Sequence, residues 1–188
     1  NPCGTYVREF DYQIDPSAPK AFLNFEGVDS CFYVWLNGRY VGYSQVSHCT
    51  SEFDVTEYLK DGPNKLAVLV LKWCDGSYLE DQDKFRWSGI FRDVYLMLRP
   101  EHHIQDFTLT AQPINDYRDG ILQICVKADS EVQYEIYDGD CLLASGSGKD
   151  ISFAKENAHL WNAEDPYLYT VILSCNGEYI PARFGFRE

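Results

Sequence analysis

Cys31-Phe32-Tyr33-Val34-Trp35-Leu36-Asn37-Gly38-Arg39-Tyr40-Val41-Gly42-Tyr43 decides the fold. Residues 31–36 are aromatic, branched or small and apolar, which is strand character. Asn37-Gly38 supplies the positive φ angles of a two-residue turn, and residues 39–43 return antiparallel. The same texture extends outward. Residues 21–26 read as a strand, and residues 66–71 are apolar without alternation, as expected for a central strand covered on both faces. Between them, Asp54 is placed to cap a short helical piece at residues 55–60, with Glu57 at the reciprocal capping position and Gly62-Pro63 ending it. Residues 92–98 give a further strand, and Arg99-Pro100-Glu101 looks like a boundary.

Beyond that boundary the strands shorten. Residues 108–111, 121–126, 132–137, 141–144 and 169–173 are separated by Asp119-Gly120, Asp138-Gly139-Asp140, Gly146-Ser147-Gly148 and Asn176-Gly177. Short strands with such punctuation predict an immunoglobulin-like sandwich of about 85 residues. Trp161 is expected to close one end of its core. The whole chain therefore reads as all-β, with no repeat and no low-complexity tract.

Composition excludes several classes. Of 188 residues, 45% are hydrophobic and 15% aromatic, enough to build cores rather than a disordered chain. The net charge of −13 repels phosphate backbones and argues against nucleic-acid binding. Acidity is steeper in the second half: residues 1–100 carry 10 basic and 14 acidic side chains, residues 101–188 carry 6 and 15. No apolar run approaches the roughly 20 residues of a membrane span. Seven cysteines without CxxC or paired spacing favour reduced thiols over a disulfide framework or zinc site, and so a reducing compartment. The opening Asn1-Pro2-Cys3 has no initiator methionine, which suggests an excised piece.

Chemistry concentrates in Asp75-Gly76-Ser77-Tyr78-Leu79-Glu80-Asp81-Gln82-Asp83, directly after the run at residues 66–71. Glu80, Asp81 and Asp83 must be solvated, paired with Arg86 or Arg92, or bound to a cation or hydroxylated ligand, because burying bare carboxylates is costly. Asp81-Gln82-Asp83-Lys84 does not continue as a calcium-binding EF-hand loop. Two carboxylates this close in one segment cannot flank a sugar as the acid and nucleophile of a glycosidase do. Trp35, Tyr40, Tyr43, Trp73, Tyr78 and Trp87 could stack on sugars. Strand aromatics are more often core, the expectation for Trp35 and Trp73, while Tyr78 and Trp87 fit either role. His48, His102, His103 and His159 show no metal-ligand spacing. Neither Ser51 nor Ser77 is expected to have a histidine placed to activate it.

Four segments together resemble the β-galactosidases of glycoside hydrolase family 2. They are the hairpin at residues 32–43, Ser51-Glu52-Phe53-Asp54, residues 71–94 including Trp87-Ser88-Gly89-Ile90-Phe91-Arg92-Asp93-Val94, and Leu160-Trp161 with Pro166-Tyr167-Leu168-Tyr169 and Gly185-Phe186-Arg187-Glu188. The likeness implies an N-terminally truncated jelly-roll, sugar-binding-like domain at 1–99 and an immunoglobulin-like domain at 100–188. It implies a retaining enzyme that removes terminal β-D-galactose and is an oligomer of identical chains. The catalytic residues and magnesium ligands would lie in a (β/α)₈ barrel beyond this chain, leaving no catalytic residue here. Asp83 alone carries over, as a substrate contact that also shares a sodium site. A stand-alone carbohydrate-binding or adhesion module, and a β-glucuronidase or β-mannosidase sibling, are the alternatives. The cytoplasm is the expected compartment, with the periplasm as the alternative.

Overall fold

The structure is a computed structural model describing residues 1–79, 83 and 85–188. It is β nearly throughout and divides into two compact units, Asn1–Glu101 and His102–Glu188.

The first unit is a partial jelly-roll sandwich. One sheet has the order β1 (Cys3–Tyr12), β7 (Gly62–Leu71), β4 (Cys31–Leu36), β5 (Arg39–Gln45), all antiparallel. The other has the order β6 (Ser51–Asp54), β2 (Lys20–Phe25), β9 (Val94–Arg99). A two-residue ribbon, β3 (Val28–Asp29) against β8 (Gly89–Ile90), lies beside them. Period-two alternation fills the space between the sheets. Phe32, Val34 and Leu36 of β4 and Val68 and Val70 of β7 meet Ala21, Leu23 and Phe25 of β2. Phe25 and Phe32 pack at 4.8 Å, and Phe53 stands edge-on to both at 6.0 Å. Gly42 makes room for Phe53, since a Cβ there would lie 2.7 Å from its ring. Along the β1 and β9 edges the sandwich is open as a groove of about 540 Å³, lined by Leu23, Phe25, Val68 and Leu96 among others.

The Asn37-Gly38 turn forms as expected, with φ of 55° and 79°. Asn37 also reaches inward: its Nδ2 donates to Asn64 Oδ1 at 2.7 Å and to the Tyr58 carbonyl at 2.9 Å. Three expectations need correction. Residues 55–60 are a hydrogen-bonded turn, with Asp54 accepting from the Thr56 amide at 3.0 Å, and the α-helical residues are instead Gly76–Leu79 (α1) in the acidic loop. Gly62, with φ of +85°, does not simply end that turn; it starts β7. Trp35 and Trp73 are not core. Trp35 lies half-buried on the outer sheet face beside Tyr33 and Tyr40, and Trp73 is 42% exposed. Alternation explains Trp35, because its neighbours Val34 and Leu36 already own the inner face.

The second unit is immunoglobulin-like. Its sheets run β10 (Ile104–Ile114), β11 (Asp119–Ala128), β14 (Asp150–Lys155) and β13 (Cys141–Ser147), β12 (Gln133–Asp138), β15 (Tyr169–Cys175), β16 (Glu178–Phe184). Tyr169, Val171, Leu173 and Cys175 alternate inward against Leu122, Ile124 and Val126. Two expected turns are strand instead. Asp119-Gly120 opens β11, with the turn displaced to residues 115–118, and β13 runs through Gly146 and Ser147. Asn115, Asp116 and Tyr117 take the positive φ angles there, so no glycine announces the turn. Gly120 serves packing instead: a Cβ would lie 2.5 Å from the Phe186 ring.

Candidate functional site

The acidic loop leaves β7 at Leu71 and returns through β8. Its entry is fixed by short-range bonds. The Cys74 amide donates to Ser77 Oγ at 3.1 Å, and the Ser77 amide returns to the Cys74 carbonyl at 3.2 Å. The Gly76 amide donates to Asp75 Oδ1 at 3.0 Å, and the Tyr78 and Leu79 amides donate to the Asp75 carbonyl. Asp75 is thus spent on capping its own loop. The exit is tied to the entry by Arg86, whose guanidinium donates to the Ser77 carbonyl at 2.9 Å.

Asp83 is exposed at a bend between these limbs. Glu80 and Asp81 lie outside the described residues. Arg92 is directed away, to the carbonyl oxygens of Glu26 at 3.4 Å and His48 at 3.3 Å. A ladder of rings, Phe85–Trp87–Phe91–His48, spaced 6.2, 6.1 and 5.4 Å, runs from the exit limb back towards the sheets. Trp87 is 53% exposed and Tyr78 75%, so these two are loop aromatics rather than core.

The ribbon joins this loop to a polar floor that sequence reading missed. Gly89 pairs with Asp29, whose carboxylate is 9% exposed and accepts from Ser47 Oγ at 2.8 Å. The sequence signal was slight, an acid in the short connection Glu26-Gly27-Val28-Asp29-Ser30 between two strands. Asp29, Ser30, Ser47, His48, Cys74, Ser77 and Arg86 enclose a polar pocket of about 10 Å³. Folding therefore brings His48 and Ser77 to one pocket, although 29 positions separate them in sequence. Ser77 Oγ is already engaged with Cys74, as acceptor from its amide and donor towards its Sγ at 3.9 Å. Among the described residues, His48 Nδ1 is buried without a partner. Ser51 is elsewhere, with its hydroxyl 2.8 Å from that of Ser44.

Among the described residues no three His, Cys, Asp or Glu side chains converge as a metal cage. Asp83 offers one exposed carboxylate, a hard oxygen ligand that suits sodium and equally accepts from a sugar hydroxyl. His102 and His159 each meet a carboxylate instead, Asp129 at 3.0 Å and Asp165 at 2.5 Å. All seven cysteines are free thiols, with Cys31 and Cys175 buried. No helix among the described residues is long and apolar enough to cross a membrane.

Two all-β sandwiches with an exposed carboxylate on a loop between strands are an architecture that serves many functions, so the class has to come from the family. The chain belongs to glycoside hydrolase family 2: residues 1–100 match "Glycosyl hydrolases family 2, sugar binding domain" and residues 102–187 match "Glycosyl hydrolases family 2". Similar curated proteins include a β-galactosidase from Actinobacillus pleuropneumoniae, 46% identical over 192 residues, covering 100% of this chain and 19% of the relative. A β-galactosidase from Staphylococcus xylosus is 42% identical over 195 residues, again covering 100% and 19%. The chain thus spans about a fifth of the length of these relatives. Among solved structures, a β-glucuronidase from an uncultured Clostridium sp. superposes with a TM-score of 0.85 at 24% identity, over 97% of this chain and 34% of that one. That likeness establishes the shared fold.

Proposed function

We propose that the chain is a non-catalytic front portion of a retaining β-galactosidase, supplying scaffold and one wall of the substrate site. The observation that carries this reading is the 46% identity to a protein named β-galactosidase, over the full chain but only 19% of that relative. A retaining glycosidase uses two carboxyl groups about 5 Å apart on either side of the sugar. Among the described residues at this site, Asp75 accepts from its own loop amide and Asp29 is buried, while Asp83 is an exposed carboxylate. Hydrolysis is therefore assigned to the rest of the polypeptide.

Asp83 is assigned the positioning of a galactose hydroxyl, directly or as one oxygen ligand of a sodium ion. It contributes by strengthening transition-state contacts rather than by moving protons. The remaining sodium ligands, and all magnesium ligands, belong to the rest of the enzyme. The thiol content favours the cytoplasm, and the whole enzyme is read as an assembly of identical chains.

In the whole enzyme, Asp83→Ala should depress kcat/KM and blunt the response to sodium; unchanged kinetics would remove Asp83 from the site. The 188-residue chain alone should release no chromophore from a nitrophenyl galactoside. The matched description "sugar binding domain" supports a second reading, a free-standing binding module. Calorimetric titration of this chain with galactose separates the two, since saturable heat favours the module.

A further inference from the structure

Phe91 stands where the exit limb of the acidic loop rejoins the sandwich, one residue past β8. Its amide donates to the Gly27 carbonyl at 3.2 Å. Its ring lies against Gly27 itself, where a Cβ would come within 2.8 Å of Phe91 Cζ, so the missing side chain is what makes the notch. The Arg92 guanidinium is 5.4 Å from the ring centroid and is held there, because its Nη1 donates to the Glu26 and His48 carbonyls. The His48 ring is also 5.4 Å from that of Phe91. Glu26 is fixed in turn, its carboxylate accepting from the Tyr95 hydroxyl at 2.6 Å and from Thr50 Oγ1 at 3.0 Å. Phe91 is thus seated among groups whose own positions are tied down.

The limb between Asp83 and β8 has little else to hold it to the sandwich. Among the described residues, no backbone–backbone hydrogen bond joins residues 85–88 to either sheet. Arg86 ties this limb to Ser77 on the entry limb, which is loop to loop. The link to the sandwich is Trp87, whose ring stacks on Phe91 at 6.1 Å and 21°. On its other side in the chain Trp87 meets Phe85 at 6.2 Å, and Phe85 is two residues from Asp83. Ring pairs at such separations contribute beyond the area that they bury.

We propose, on the reading of Asp83 as a substrate contact, that Phe91 is a positioning residue for Asp83 and holds the exit limb in place through the Trp87 ring. Phe91 touches no substrate in this scheme. Without its ring face the limb wanders, and Asp83 meets the transition state in fewer of its positions. A leucine would occupy part of the Gly27 notch and still offer no face for Trp87.

The test is a double-mutant cycle in the whole enzyme. Phe91→Leu should lower kcat/KM for a nitrophenyl galactoside roughly 10-fold, and Phe91→Tyr, which keeps the ring face, should stay within about 3-fold of the parent. With Asp83→Ala already present, Phe91→Leu should cost less than about 2-fold, because its effect passes through that carboxylate. Trp87→Ala removes a half-exposed ring without emptying the notch. It should match Phe91→Leu in rate with little change in thermal midpoint, and it stands in for that variant should Phe91→Leu fail to fold. In the 188-residue chain, acrylamide quenching of Trp87, read as the difference from a Trp87→Phe chain, should increase with Phe91→Leu. An intact kcat/KM in Phe91→Leu and Trp87→Ala, or losses that multiply with that of Asp83→Ala, would overturn the positioning role. Quenching of Trp87 that ignores Phe91→Leu would overturn the anchor. Asp83→Ala without effect would sink the reading of Asp83 and the positioning role with it, while the quenching still reports whether Phe91 holds Trp87.

Discussion

The Arg86 guanidinium donates to the Ser77 carbonyl at 2.9 Å, closing the acidic loop across its base. The masking of this bond by water is substantial, since Arg86 is exposed, so its worth to stability is small. Under the role proposed for Asp83, its worth to function would lie in holding that residue between two tied limbs. Arg86→Ala in the whole enzyme should therefore lower kcat/KM by roughly 3–10-fold, about 1 kcal/mol, with little change in thermal midpoint. Steady-state kinetics beside a melting curve test this, and an unaltered kcat/KM would show that Asp83 does not depend on the clamp.

Gly89 carries the ribbon that reaches Asp29. It sits at φ +85°, and a Cβ there would overlap the Tyr6 hydroxyl. Gly89→Ala should cost about 1–3 kcal/mol through backbone strain and crowding together. Adding Tyr6→Phe removes only the crowding, so urea unfolding of the double variant should recover part of the loss. Full recovery would mean that the backbone angle costs nothing.

Asn64 is 2% exposed and fully engaged. Its Oδ1 accepts from the Lys60 amide and from Asn37, and its Nδ2 donates to the carbonyls of Lys60 and Gly62. Asn64→Ala strands several buried groups at once and should cost about 2–4 kcal/mol by denaturant titration. A loss below 0.5 kcal/mol, on the order of an exposed substitution, would show that water replaces these bonds.

Tyr167 donates to Asp138, and that bond chiefly pushes its pKa from 10.0 up to about 12. The folded pKa is raised, so this contribution is complete below pH 10 and lost as pH climbs towards 12. Tyr167→Phe should remove one late-titrating phenol from the 295 nm absorbance titration and shrink the difference in stability from the parent at strongly alkaline pH. A titration curve unchanged by the substitution would place the perturbed phenol elsewhere.

Local chemistry determined much of this protein from sequence alone. Asn37-Gly38 and Asn176-Gly177 take positive φ wherever they stand, so both hairpins were legible, and period-two apolar runs marked the strands of both sandwiches. The acidic loop was visible as composition, and within it Asp83 was singled out only through the family resemblance. Long edge strands such as β1 were not legible: its mixed residues pair on one side only and are mostly exposed, leaving no alternation to read. Trp35 was misassigned because hydrophobicity does not say which sheet face a side chain takes; register does, and register comes from the neighbouring strands. Asp29 meeting Ser47 and Arg86 meeting Ser77 were decided only by tertiary structure. Each joins segments that hydrogen-bonded sheets and their connecting loops bring together, at separations where sequence carries no distance information.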